Sequence, residues 1–578
     1  MSGMRSRPCA FVLEWVHRGV FPEMKPTLLR NLCNWLPFFF ACLTLAHVAS
    51  ALSQPSPVRV ADAVCERCHE KIFRSYLKTP MARASGVAAE NLKPGSFVNA
   101  PSGFEYSVTG DGKLAYRSLN SSWAARDWQL KYFLGSGHLG VTYLYSIGSF
   151  LFESPVAWYG PTQSYDMKPG LAELNHVPPP LPMQSNCMRC HMSSVKASSD
   201  GTLNRYHGLP FLYGGITCEA CHGDSMAHVS SKGKGKIVNP SRLDAERRDS
   251  VCISCHLEGD VSVQRAGHSS LDYRPGELIS TYEAYYVRKG ANLRDRAVSE
   301  VEQLSQSTCK RASGVSMSCM SCHDPHYTPD PEHRVAFYRA KCLDCHKKPG
   351  FASTHHPENR DCTACHMPRT GARNVLHVAW TDHRIRKQPQ EISTESISQT
   401  GLDLMPIFSP GSTSRDLAMA NYEALLDGDR SREPAAWQQL NSIASELTDD
   451  KDALDALGNL AAERGKWVQA EEEFKKVLAI DPVNLTALSN LGVLLAKEGK
   501  IEEASSVLEK AFDHNQDIPG LAMNLARVQC IAGDGAAAGS TLSTALIYCP
   551  DCQDVQRLLG ETSHCSMPAA SGSPPAPR

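Results

Sequence analysis

The chain has 578 residues, 42% of them hydrophobic and 21% charged, with a formal net charge of −2. This composition is that of a globular protein and leaves room for more than one domain. No basic domain or stripe stands out, so nucleic acid is not an expected partner. The unusual feature is a pair of counts, 22 Cys and 22 His.

Residues 1–51 read as a targeting segment. A basic stretch from Met24 to Arg30, an apolar core from Leu36 to Val48 and the small residues Ala49-Ser50-Ala51 make a Sec-type secretory signal, with Met24 as an alternative start. The mature chain is expected to begin near Leu52 in the periplasm. The apolar core is short for a bilayer, so no stable membrane span is expected after cleavage.

Fourteen of the cysteines then fall into seven C-x-x-C-H motifs. In chain order they are Cys65 and Cys68 with His69, Cys187 and Cys190 with His191, Cys218 and Cys221 with His222, and Cys252 and Cys255 with His256. Then follow Cys319 and Cys322 with His323, Cys342 and Cys345 with His346, and Cys362 and Cys365 with His366. This is the attachment signal of haem c: two thiols form thioethers to the porphyrin vinyls and the next imidazole ligates the iron. Zinc sites and redox disulfides also use C-x-x-C, but neither requires a histidine directly after the second cysteine. Seven covalent haems are therefore expected. At roughly 46 residues per motif between Cys65 and His383, no haem can have a polypeptide core of its own, and the porphyrins must form much of the interior.

Between the first and second motifs the pattern changes to strands and turns. Phe104–Thr109 and Lys113–Arg117 flank Gly-Asp-Gly, and Val141–Tyr145 faces Phe150–Ser154 across Ile-Gly-Ser. Both read as hairpins, so a β-rich insertion is expected over about 95–165, covering haem faces or walling a pocket.

Eleven further histidines lie within the same region: His138, His176, His207, His228, His268, His326, His333, His355, His356, His377 and His383. They are enough to give every iron a second imidazole. A six-coordinate iron has no place for a substrate, which favours electron transfer over catalysis. The stretches Ile216–His228, Cys319–His326 and Cys362–Pro368 followed by His377–Ile385 resemble the multihaem c-type cytochromes related to the tetrahaem carrier of ammonia oxidisers (c-552/c-554-like) and to octahaem hydroxylamine oxidoreductase. Tyr132–His138, Tyr143–Tyr145 and Asp272–Glu277 resemble a bacterial group in which such a cytochrome is fused to tetratricopeptide repeats. The resemblance spans about 60–390. It implies His228 and His326 as distal ligands of neighbouring haems, followed by His138, His356, His377 and His383. No C-x-x-C-K haem motif occurs, and no tyrosine can be singled out as a catalytic cross-link.

Residues 387–415 are polar with Pro and Gly and read as a linker. Beyond them Leu457-Gly458, Ala470 and Phe474 recur 34 residues on as Leu491-Gly492, Ala504 and Leu508, and again as Leu525-Ala526, Ala538 and Leu542. That is the tetratricopeptide period, placing a helical array over 416–560, with a degenerate unit near 420–440 and a face for a protein or peptide ligand. Cys549 and Cys552 lack a following histidine and are expected to form a local disulfide. The tail, 561–578, has the composition of unstructured chain. Cys309 reads as a structural thiol, and Lys232–Lys236 (K-G-K-G-K) as a basic loop beside the third motif.

The expected architecture is mainly α: a haem-packed cytochrome domain over 52–386 with its β-rich insertion, then an α-solenoid. The expected function is periplasmic electron transfer along the haems between redox partner proteins, with no catalytic residue assigned. The rival reading is a haem-dependent oxidoreductase acting on a small nitrogen or sulfur compound at one open iron.

Overall fold

The computed structural model describes residues 60–119, 126–290, 298–355, 360–371, 375, 377–387, 400–408 and 412–565. The expected signal segment, the tail beyond 565 and His356 lie outside the described residues.

Both hairpins expected from the turn residues form, and they belong to a larger antiparallel sheet of nine strands. These are β1 (Ser85–Val87), β2 (Gly95–Asn99), β3 (Phe104–Val108), β4 (Lys113–Ser118), β5 (Arg126–Leu134), β6 (Gly140–Ile147), β7 (Phe150–Tyr159), β8 (Ser164–Met167) and β9 (Leu181–Pro182). The order is β2 through β8 in sequence, with β1 added to β5 and β9 to β7. The sheet curls until its ends meet, where Tyr165 donates from its hydroxyl to the Lys93 carbonyl at 2.6 Å. One face closes on Tyr106, Tyr143, Phe152, Val156 and Met167, all essentially buried. The other packs Tyr132, Leu144 and Leu151 against Met188, inside the second motif, and Met192, directly after it. The insertion thus covers the second haem-binding segment.

The mainly α expectation is met in the carboxy-terminal half and not in the amino-terminal one. There, four motifs sit on a single turn, such as Glu219–His222 and Cys362–His366, and the longer helices Val60–Tyr76, Ala245–His256 and Pro331–Leu343 are separated by irregular chain and the large sheet. The physical reason is local: i and i+3 already lie on one face after one helical turn, so a motif needs no longer helix to present both thiols.

The second half is a run of helix pairs: Ser414–Leu426 with Glu433–Ser442, Lys451–Glu463 with Trp467–Ile480, Leu485–Lys497 with Ile501–His514, and Pro519–Ile531 with Gly535–Tyr548, capped by Gln553–Glu561. The glycines explain the tight pairing. A Cβ on Gly458 would stand 2.7 Å from the Phe474 ring and one on Gly492 2.5 Å from Leu508, so only glycine lets these helices approach as they do. The upstream unit suspected near 420–440 is the first pair.

This array is built into the haem-binding half. Within the stretch read as a linker, Leu404–Pro406 is a strand pairing with Glu283–Arg288, which also pairs with Val261–Gln264. Val261, Val263, Ala284 and Tyr286 share one apolar core with the repeat helices. Arg265 bridges to Asp416 at 2.7 Å with the carboxylate almost wholly buried. Further along, Asn515 donates to the Gly201 carbonyl at 2.8 Å and Tyr116 to Asp551 at 2.7 Å. Losing one partner of a buried pair such as Arg265–Asp416 costs about 3–5 kcal/mol, so the two halves are held in one orientation.

Candidate haem centres

Two imidazoles that share one metal on opposite sides have a characteristic spacing. A metal–nitrogen bond of about 2.0–2.1 Å and a nitrogen lying about 1.2 Å from its ring centre put the two centroids about 6.4 Å apart. Four histidine pairs meet this requirement. His69 and His228 have centroids 6.4 Å apart and planes 14° from parallel. His222 and His326 stand 5.9 Å apart at 11°, His355 and His366 6.0 Å apart at 18°, and His323 and His383 6.2 Å apart at 31°. In every pair one member belongs to a C-x-x-C-H motif. The donor set fits haem iron.

The far nitrogens are fixed in the way an iron ligand needs. Nδ1 of His222 donates to the Val238 carbonyl at 2.8 Å, Nδ1 of His228 to Gly235 at 3.0 Å, Nδ1 of His366 to Arg386 at 2.6 Å and Nδ1 of His383 to Thr381 at 2.9 Å. A carbonyl can only accept, so the proton sits on Nδ1 and the Nε2 lone pair is left for a metal. Burial, with His383 and His256 facing it, pushes the pKa of His323 down to about 4. Burial likewise lowers His191 and His326. These rings are held neutral, which is the ligating form.

Of the six distal candidates, His228, His326 and His383 stand opposite motif imidazoles. His377 does not: its Nε2 bonds Asp166 at 2.6 Å and its ring meets Tyr159 edge-on, so the nitrogen an iron would use is taken by a carboxylate. His138 sits exposed between β5 and β6 and makes no ring contact with a motif histidine among the described residues. His356 is outside the described residues, and its neighbour His355 faces His366 instead. His191, His256 and His346 face no second imidazole in this opposed arrangement among the described residues. His346 stacks on Phe351 at 5.1 Å.

None of the fourteen motif cysteines is tied up in a disulfide, and several are placed by a short helical turn. In the second motif, Cys187 lies on the turn Ser185–Met188 and is exposed. In the seventh, Cys362 and Cys365 are both half-buried on the helix Cys362–His366. Asp361 caps that helix, accepting from the Thr363 N–H at 3.0 Å and the Ala364 N–H at 3.2 Å. The cap thus sets the turn that brings Cys365 round beside Cys362, with His366 directly after it.

The thiols give the order of neighbours. Cys65 lies beside Cys218, Cys190 beside Cys255, Cys252 beside Cys319 and Cys342 beside Cys362, each close enough to perturb its neighbour's thiol. Cys221 also feels the charge of Cys255, and Cys322 that of Cys345. The motifs therefore run first, third, fourth, fifth, sixth, seventh, with the second branching from the fourth. Arg189, inside the second motif, ties that branch: it donates to the Ser254 carbonyl of the fourth motif at 2.6 Å and to both Glu283 oxygens at 3.1 and 2.9 Å. Glu283 in turn accepts from the Tyr285 hydroxyl. Burial pushes the thiol pKa values of Cys221 and Cys342 up to about 12, so they are not reactive thiolates at neutral pH. Among the described residues no three His, Cys, Asp or Glu side chains converge as a metal cage, as a zinc reading would need. Outside the motifs, Cys530–Cys565 and the expected Cys549–Cys552 are disulfides, and Cys309 is a half-buried free thiol.

Three family models match parts of this chain: the doubled CXXCH motif over 313–351, cytochrome c554 and c-prime over 171–223, and the tetratricopeptide repeat over 461–518. The chain thus matches multihaem c-type cytochromes in its first half, where the C-x-x-C-H motifs support covalent haem c, and tetratricopeptide repeats in its second. It is similar to the multiheme cytochrome MtrA of Shewanella baltica, 25% identical over 210 residues that cover 34% of this chain and 57% of that protein. It is also similar to the TPR repeat-containing protein PA4667 of Pseudomonas aeruginosa, 30% identical over 146 residues covering 25% of this chain and 24% of the relative. The chain thus spans little more than half of the first relative and a quarter of the second. A solved structure of MamA aligns with a TM-score of 0.24 and 20% identity, over 27% of this chain and 88% of that one. Among the described residues no helix is long and apolar enough to cross a membrane.

Proposed function

We propose that this protein carries electrons along seven covalently bound haems in the periplasm, between redox partner proteins, and that the repeat array docks one of them. The observation that carries the reading is the set of four imidazole pairs with centroids 5.9 to 6.4 Å apart, the spacing that two ligands of one iron would have and that would leave it closed to substrate. His69 with His228, His222 with His326, His323 with His383 and His366 with His355 are the ligand pairs of this reading, with His191, His256 and His346 as the motif ligands of the remaining three. Each bound haem supplies a one-electron iron couple, tuned by its ligands and surroundings. The chain's own residues fix the imidazole tautomers, exclude water with the β-sheet and hold neighbouring motifs in contact. The two disulfides favour an oxidising compartment, in keeping with the secretory signal expected over 1–51. The test is paramagnetic resonance and stepwise reductive titration of the purified protein. Low-spin signals for at least four haems, reduced over several potentials, are expected; a wholly high-spin spectrum would overturn the reading.

One observation favours a second reading, in which a small nitrogen or sulfur compound reacts at an open iron. His191, His256 and His346 lack an opposed imidazole among the described residues. Binding of nitrite, hydroxylamine or carbon monoxide to the purified protein would support that reading; inert spectra would remove it.

A further inference from the structure

We propose that a cleft between the large sheet and the loop after the last repeat helix binds a small alkylated ammonium ion of the choline class. The cleft lies on the sheet face that holds Tyr106, Tyr143 and Phe152, opposite the face that packs on the second motif. No motif residue lines it. Its volume is about 460 Å³ counting the open mouth, within the range of small-molecule sites.

Three features of the walls select the ligand. The first is aromatic. Tyr116, Trp128 and Tyr145 reach the cleft from β4, β5 and β6, and Tyr548 from the end of the helix Gly535–Tyr548. Trp128 and Tyr145 lie nearly parallel, 19° apart with centroids at 5.7 Å, and Tyr548 is held edge-on to Phe150 at 5.2 Å. Burial raises the pKa of Tyr116, Tyr145 and Tyr548, so all three keep their protons. Both halves of the chain thus build one enclosure of neutral rings, whose quadrupoles attract a cation.

The second feature is charge. Asp551 and Glu153 line the cleft, and no lysine, arginine or histidine does. Glu153 is neutralised by Lys168. Asp551 accepts from the Tyr116 hydroxyl at 2.7 Å and pairs with no cation among the described residues. Its loop is closed by the Cys549–Cys552 disulfide and held by Gln556, which donates to the Pro550 carbonyl at 2.6 Å. The carboxylate is therefore fixed at the mouth of an uncompensated negative site, which favours a cation over an anion or a neutral solute.

The third feature is the scarcity of N–H donors. Pro155, Pro178, Pro179, Pro180 and Pro550 supply much of the remaining wall, and proline has no backbone N–H. An anion finds few partners there. Walls of rings and prolines also offer a primary ammonium little in exchange for its water, a cost that an ion without N–H groups avoids. Alkylated nitrogen meets all three conditions.

The test is isothermal titration of the full-length holoprotein with choline chloride and, separately, with dimethylbutanol, its neutral carbon isostere. Choline is expected to bind saturably and roughly tenfold or more tighter than the alcohol. Its affinity is expected to fall roughly tenfold in Asp551→Asn and likewise in Tyr548→Leu, each with unchanged helical circular dichroism. Competition by phosphatidylcholine vesicles would place the ammonium on a lipid headgroup and lack of competition on a free solute, and both outcomes support the site. No saturable binding, equal or tighter binding of the alcohol, or folded variants that bind choline like the wild type would each overturn it. The comparison of choline with the alcohol needs no variant, so it decides the matter even where a substitution unfolds the chain.

Discussion

Asp455 sits on the helix Lys451–Glu463 with one carboxylate oxygen shut away from solvent and without a hydrogen-bond partner. The other accepts from Asn459 at 3.3 Å. Burial, reinforced by the charge of Asp452 and only partly opposed by Asn459, pushes its pKa up from 3.8 to about 8. The folded chain therefore keeps a proton that the unfolded chain releases. Between the two pKa values the native state binds more protons, so stability falls as pH rises through that window and levels off above the higher value. At 1.36 kcal/mol per unit, the loss amounts to ~4 kcal/mol by pH 7. Asp455→Asn keeps the shape and cannot ionise. Urea unfolding of the holoprotein, followed by helical circular dichroism, should find the variant close to wild type at pH 4 and more stable by about that ~4 kcal/mol at pH 7. A difference that does not change with pH, or that favours the wild type at pH 7, would refute the argument.

Replacing His228, His326, His383 or His355 by Ala should turn one haem high-spin in paramagnetic resonance, whereas His377→Ala and His138→Ala should leave all spin states as they were. Reduction adds negative charge, so removing a nearby anion favours it and removing a cation opposes it. Glu283→Gln should therefore raise, and Arg189→Gln lower, the midpoint potentials of the second and fourth haems in spectroelectrochemical titration; shifts in the same direction would reduce the bridge to a structural contact. Cys565→Ser opens a disulfide whose partners are 35 residues apart, and should cost about 3–4 kcal/mol in urea unfolding under non-reducing conditions.

What the sequence made legible was whatever chemistry ties to local spacing. The C-x-x-C-H motifs are defined by one helical turn, and the repeats by the contact of Gly458 with Phe474 and its counterparts, so both could be located from residue types. The two hairpins were visible from Gly-Asp-Gly and Ile-Gly-Ser, but the additions of β1 to β5 and β9 to β7 were not. Those short strands carry little pattern of their own and are recruited by neighbours 45 or more and 28 or more residues away. Ligand pairing was least legible. His228 follows His222 by six residues yet faces His69, and His326 follows His323 by three yet faces His222. A side chain so few residues from a motif cannot reach round to the opposite face of that motif's own haem. Which other haem it reaches depends on the packing of the motifs. The strand Leu404–Pro406 hid within polar sequence because only three residues pair. The Cys530–Cys565 bridge hid because it joins a repeat helix to the chain beyond the array.

The account stands most directly on the number of haems held covalently. Intact mass spectrometry of the mature protein, made in a host able to attach haem c, should give the polypeptide mass increased by seven haems. A polypeptide with no such increase would contradict the account, and one with fewer than seven would break the row that begins at His69 and ends at His366.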